Sequence, residues 1–183
     1  MNSNPTTRFR TVDLCVCALF AAVMAVCAWI SIPGPVPFTL QTFAVFAALV
    51  TLGGKRGTVA VTVYLLLGAV GQPVFAGFKG GPAALFGATG GYILGFLAAG
   101  LLYWLITARW GDRLGVVIAA CAAGMLACYA FGTAWFVQVY TAQTGPMTVG
   151  GALAACVFPF VPFDAGKIAL AIFLARRLRK HAK

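Results

Sequence analysis

The sequence predicts an all-α integral membrane protein with six transmembrane helices, a long Gly-rich outer lid loop and a short re-entrant or interfacial segment before the last helix. Three observations carry this expectation. The 183-residue chain is 62% hydrophobic and only 9% charged, against about 25% charged in soluble domains. Its apolar residues form continuous stretches rich in Ala, Leu and Gly rather than alternating ones, which favours helices over a barrel. Its basic residues sit in small clusters between those stretches, as cytoplasmic loops and tails do.

A bilayer core of about 30 Å takes about 20 helical residues. The first stretch, 14–31, follows Arg8 and Arg10. No small-x-small cleavage site closes it and apolar character soon resumes, so a retained helix is expected rather than a signal peptide. The next stretches are 38–53, 58–72, 91–108, 114–138 and 161–178. Several are short and must borrow flanking residues. Turn chemistry separates them: IPGPVP, GGKRG, a long Gly-rich run and RWGDR. The segment 147–160, MTVGGALAACVFPF, is Gly-interrupted and too short for an ordinary span. Charge decides against a seventh crossing. With six, Arg8, Arg10, Lys55, Arg56, Arg109, Arg113, Arg176, Arg177, Arg179, Lys180 and Lys183 share the cytoplasmic side. Only Lys79 then lies opposite, and Lys167 lies within a helix. Both termini are expected in the cytoplasm and the chain in the cell membrane. No polar linker divides residues 1–183, so one membrane-embedded domain is expected.

Composition also excludes classes. The net charge of +10 is explained by membrane orientation rather than by nucleic-acid binding. Six cysteines (Cys15, Cys17, Cys27, Cys121, Cys128, Cys156) form no CxxC pair, and the one histidine, His181, lies in the basic tail. No metal site is expected, and the cysteines read as small packing residues. No Walker A, HExxH, GxSxG or Ser/His/Asp set appears, so neither ATP hydrolysis nor catalysis is expected of this chain. No cofactor is implied. No internal repeat is visible, which speaks against inverted-repeat transporters.

Polar residues inside the apolar stretches carry the functional reading. Asp164 and Lys167 lie three apart in PFVPFDAGKIAL, on one helical face. They could neutralise each other as a simple internal pair. A charge at bilayer depth costs roughly 2.5–3.5 kcal/mol, and such residues usually face a cavity. Pro159 and Pro162 are expected to break the helix just before them. The expectation is a pocket open to the outside, with the pair completed by a guest. A couple fully satisfied by its neighbours, with no space beside it, would contradict this. The loop GQPVFAGFKGGPAALFGATGGY, 71–92, contains seven glycines. Its Val74, Phe75, Phe78, Leu85 and Phe86 are too apolar for a solvated tether, so it is expected to fold down as a lid. Lys79 could be solvated or could meet an anionic group. Gln41 and Thr42, at the start of the second stretch, could cap it, bond across helices or bind a ligand.

These segments together resemble the BioY family, the biotin-specific substrate-binding S components of energy-coupling factor (ECF) vitamin transporters. The resemblance rests on PVPFTLQT at 35–42, GGKRGTVAV after the second stretch, the GG-K-GG-type loop with FGATGGY at 86–92, and PFDAGK at 162–167. It implies outward capture of biotin and association with a membrane coupling subunit and two cytoplasmic ATPases. It assigns Asp164 and Lys167 to the ureido ring, Gln41 to the pocket, and the backbone around Gly77, Gly80 and Gly81 to the lid. Tyr92 matches the aromatic that follows paired glycines. Phe163 departs from a glycine common before the acid. Lys79 and Ile93 stand where some members have asparagine and arginine, so Lys79 is expected to supply the charge for the biotin carboxylate. Ala18 and Ala22, four apart, match a small-residue face that contacts the coupling subunit; ordinary bundle packing is the alternative. Other readings of the pocket are an S component for another vitamin, a solitary proton-coupled carrier using Asp164, and a retinal protein using Lys167.

Overall fold

The computed structural model describes residues 10–34 and 36–181, with side chains as far as Leu178. The expectations resting on Arg8, Pro35, Lys183 and the side chains of Arg179, Lys180 and His181 lie outside the described residues. Helix α1 (Thr11–Trp29) opens with Asp13 in its first turn. There its carboxylate accepts from the Arg10 backbone N–H at 3.0 Å and meets the positive helix end. A small antiparallel hairpin follows: β1 (Ser31–Ile32) pairs with β2 (Phe38–Thr39), Ser31 opposite Thr39. Helices α2 (Gln41–Leu52) and α3 (Gly54–Ala69) are separated by Gly53 alone. The turn expected across GGKRG is therefore one residue, because Gly53 at φ +82° reverses the chain. Lys55 and Arg56 already belong to α3. A 3-10 turn (Ala76–Phe78) and α4 (Pro82–Phe86) occupy the Gly-rich loop. Then come α5 (Gly90–Trp110), α6 (Leu114–Gln143), α7 (Val149–Cys156) and α8 (Val161–His181).

Each expected apolar stretch is a helix, so the protein is a multi-pass helical membrane protein. Their lengths differ from the expectation. Among the described residues, α1, α5 and α6 are long and apolar enough to cross a membrane. A fourth crossing arises if α7 and α8, bent by 51°, count as one broken span. At about 1.5 Å per residue, α2 and α3 cover only about 18 and 24 Å. The segment 147–160 holds the eight-residue α7, capped by the Thr148 hydroxyl, which accepts from Gly151 N at 3.1 Å. Only Pro159 lies in the break. Pro162 sits in the first turn of α8, where a missing N–H is harmless. It starts that helix rather than breaking one.

Packing is close. Helices α5 and α6 form the most extensive pair, and α2 lies against α3 and α8. A Cβ built on Gly57 would sit 2.6 Å from Leu49 Cα, so the α2–α3 hairpin closes backbone on backbone. Cys17, Cys121, Cys128 and Cys156 are buried and Cys27 is half-buried; all six cysteines are free.

The two ends of the bundle have different chemistry. At one end Arg10, Lys55 and Arg56 share a cleft of about 580 Å³ with Asp13 and Asp112. Arg56 pairs with Asp13 at 3.2 Å and ties α3 to α1. Basic residues from two separate stretches thus meet in one cleft. The chain directions of α1, α3 and α5 carry the hairpin and the Gly-rich loop to the opposite end.

Gly57→Ala is expected to lower stability by about 1–3 kcal/mol through overpacking. Gly166→Ala, in open space on α8, is expected to be neutral or slightly stabilising. Thermal unfolding in detergent compares them.

Candidate functional site

The site is built around the first turns of α8. The i,i+3 spacing puts Asp164 and Lys167 on the inward face, 4% and 9% exposed. Lys167 Nζ lies 2.9 Å from Asp164 Oδ1. It also donates to the Thr39 carbonyl at 2.7 Å and lies 4.1 Å from the centre of the Phe38 ring. The Tyr129 hydroxyl of α6 donates to Asp164 Oδ2 at 2.6 Å. Both charges therefore have protein partners. The hairpin supplies an acceptor to Lys167 and α6 a donor to Asp164. Space does lie beside them. A cavity of about 590 Å³ is walled by both residues and by the hairpin, α2, the Gly-rich loop, α5 and α6. Its size falls in the range of small-molecule pockets, about 300–1,000 Å³.

The Gly-rich loop forms one side of that cavity. Val74, Phe75 and Leu85 are buried, whereas Phe78 and Phe86 lie outside the core. Phe75 packs edge-on against Tyr64 at 5.5 Å. Trp29 Nε1 donates to the Pro73 carbonyl at 2.8 Å and its ring stacks on Phe78 at 5.1 Å. That stack holds Phe78 at φ +57°, a region costly for a bulky residue.

Most expected site residues converge. Asp164, Lys167, Gln41, Thr42, Lys79, Gly80 and Tyr92 all line the cavity. Gln41 bonds across helices: its Nε2 donates to the Tyr64 hydroxyl at 2.8 Å. The Tyr92 hydroxyl is 3.1 Å from Thr133 Oγ1. Lys79 is exposed at the rim, and Ile93 contributes an apolar patch of wall. Gly81 is the exception. It is absent from the cavity wall; its N–H donates to the Gly68 carbonyl at 2.7 Å, and its φ of +82° turns the chain into α4. Gly80 is small for a different reason than ligand approach: a Cβ there would meet the Gln72 carbonyl oxygen at 2.1 Å. Ala18 and Ala22 are exposed on α1, while Ala21, Ala25 and Ala28 are buried. Ordinary packing inside the bundle therefore does not explain the first two.

Sequence reasoning missed Tyr129, Tyr64, Thr39 and Phe38. The tyrosines left a signal, because a phenol inside an apolar helix needs a hydrogen-bond partner. Thr39 acts through its backbone carbonyl, which no residue type announces.

The arrangement can hold a small polar head. Asp164 keeps further lone pairs for N–H donors, and Lys167 offers an ammonium to an oxygen. Tyr129→Phe is expected to lower stability by about 1.5–3 kcal/mol, by removing a hydrogen bond to a buried charged group. Thermal unfolding without ligand tests this, and unchanged stability contradicts the hydrogen bond.

Comparison with known proteins agrees with the resemblance. The sequence model of the BioY family matches residues 1–183. The chain is 42% identical over 163 residues to the biotin transporter BioY of Thermotoga maritima, covering 88% of this chain and 92% of that one. It is 38% identical over 168 residues to a probable biotin transporter BioY of Pyrococcus horikoshii, covering 91% and 96%. Among solved structures, the S-component for biotin from an ECF-type ABC transporter superposes with a TM-score of 0.82. That match has 27% identity and covers 97% of this chain and 95% of that one. This chain belongs to the BioY family.

Proposed function

We propose that the protein is the biotin-binding S component of an ECF-type transporter. It captures biotin at the outer face of the cell membrane for uptake driven by ATP hydrolysis on partner subunits. One observation carries the reading: a buried, oppositely charged pair, Asp164 and Lys167, on the wall of a cavity of about 590 Å³. A ureido ring presents two N–H donors and one carbonyl. The Asp164 carboxylate accepts from a ureido N–H, and the Lys167 ammonium donates to the ureido oxygen. That oxygen takes the place on Lys167 now held by the Thr39 carbonyl or the Phe38 ring. Gln41, Thr42 and Tyr92 add polar and aromatic wall. The Gly-rich loop, with Gly80 facing the cavity and Gly81 turning the chain, closes as a lid. Lys79 at the rim meets the carboxylate at the end of the valeryl chain.

The proposed setting is one membrane-embedded unit across residues 1–183, crossing six times with both termini in the cytoplasm. The hairpin before α2 and the loop after α3 fill the depth that those short helices leave. The cleft holding Arg10, Lys55 and Arg56 is then the cytoplasmic end. Ala18 and Ala22 present a small-residue face to the membrane coupling subunit, which connects to two cytoplasmic ATPases. The exposure of both alanines supports that role, since small residues permit close helix approach.

Calorimetry on detergent-purified protein with a vitamin panel tests the substrate. Biotin is expected to bind tightly, and thiamine and riboflavin not to bind. Asp164→Asn is expected to weaken biotin roughly ten- to a hundredfold, the cost of a buried charged hydrogen bond. Absence of biotin binding, or wild-type affinity in that variant, removes the assignment. Biotin amide is expected to bind about two- to fivefold more weakly than biotin, the modest effect of an exposed cation. Equal affinity means that Lys79 does not read the carboxylate.

A further inference from the structure

We propose that Tyr64, which does not line the cavity, dictates which end of the Gln41 amide faces the ligand, and so makes Gln41 the acceptor for the second ureido N–H. The inference rests on the biotin reading above and deepens it. The Val74 carbonyl can only accept. Tyr64 is fully buried, and its hydroxyl donates its single proton to that carbonyl at 3.0 Å. The phenol oxygen can then only accept from Gln41, so the group 2.8 Å away must be the Nε2 amide. The opposite flip would set two acceptors against each other with no proton between them.

The other end of the amide follows. Among the described residues Gln41 Oε1 has no hydrogen-bond donor, yet no buried side-chain oxygen or nitrogen lacks a partner. Oε1 is therefore not sealed in the core. Gln41 is a wall residue of the cavity, and Oε1 is the atom it offers there. The Val74 carbonyl is itself fixed: Val74 N donates to the Gln72 carbonyl at 2.8 Å, and the neighbouring Phe75 ring packs on Tyr64. Docking of the Gly-rich loop thus sets the polarity of the pocket. Asp164 and Gln41 Oε1 present two acceptors and Lys167 one donor, which is the complement of a urea. A ring with one N–H replaced by oxygen leaves an acceptor facing an acceptor. Tyr64 acts here as a positioning residue.

The test uses biotin and its two analogues in which one or the other ureido N–H is replaced by a ring oxygen, a change of nearly constant shape. Binding is measured by calorimetry on the wild type, Gln41→Met, Tyr64→Phe and the double variant. The wild type is expected to bind both analogues at least tenfold more weakly than biotin. In Gln41→Met the penalty for one analogue is expected to fall to within threefold, while Asp164 keeps rejecting the other. Tyr64→Phe frees the amide to turn, so the penalty for that same analogue is expected to shrink at least threefold. The double variant is expected to bind biotin within twofold of Gln41→Met, because Tyr64 acts through Gln41. Penalties unmoved by Gln41→Met, or independent losses in the double variant, overturn the proposal. The Gln41→Met pattern tests the acceptor role even if Tyr64→Phe fails to fold. Failure of the wild type to bind biotin sinks the substrate assignment instead, a result distinguishable from all of these.

Discussion

The ion pair between Asp164 and Lys167 is the constraint on which the rest of the structure depends. Two opposite charges in an apolar bundle must be neutralised and also hydrogen-bonded, since desolvating an ion costs several kcal/mol, of order more than one bond returns. The pair alone cannot meet that demand. It recruits Tyr129 from α6 and the Thr39 carbonyl from the hairpin. It therefore joins three parts of the chain that are distant in sequence, and it places them around one empty volume. The hairpin is two residues per strand; Lys167, Phe163 and the preceding Phe160 tie it to the start of α8.

A second polar path works from the opposite wall. Gln41, Tyr64 and the Val74 carbonyl form a chain of hydrogen bonds from cavity to loop. The loop is held from outside by Trp29 and from inside by Phe75. Gly68 makes the inner contact possible, because a Cβ there would strike the Phe75 ring. The two polar paths share a logic. Each uses a phenol to fix a side chain on the cavity wall, the fully buried Tyr64 in one and the half-buried Tyr129 in the other. Polar groups that would be costly if unpaired become devices for orientation.

The molecule keeps its cavity and its charged cleft at opposite ends. The cavity lies at the end that holds the hairpin and the Gly-rich loop. The cleft of basic and acidic residues lies at the other, where Arg56 and Asp13 join α1 to α3. Helix α1 runs between the two ends and leaves Ala18 and Ala22 uncovered while burying the alanines on its other side. The same helix holds the loop through Trp29.

Much of this was legible in the residues themselves. Apolar runs of helical composition required membrane helices, because backbone in lipid must bond within its own segment. Asp164 and Lys167 declared themselves by their cost, and PVPFTLQT, FGATGGY and PFDAGK in that order carried the family likeness. Element ends were less legible: Gly53 alone reverses the chain between α2 and α3, a matter of one φ angle rather than of composition. Only the tertiary structure decided that both charges already have partners, that Tyr129 and a backbone carbonyl supply them, and that Gly81 stands away from the cavity. It also decided which alanines of α1 stay exposed. The reason is physical. Hydrophobicity and charge act on each residue wherever it lies, so their pattern survives in one dimension. Hydrogen-bond partners and empty space exist only between segments, and no single segment contains them.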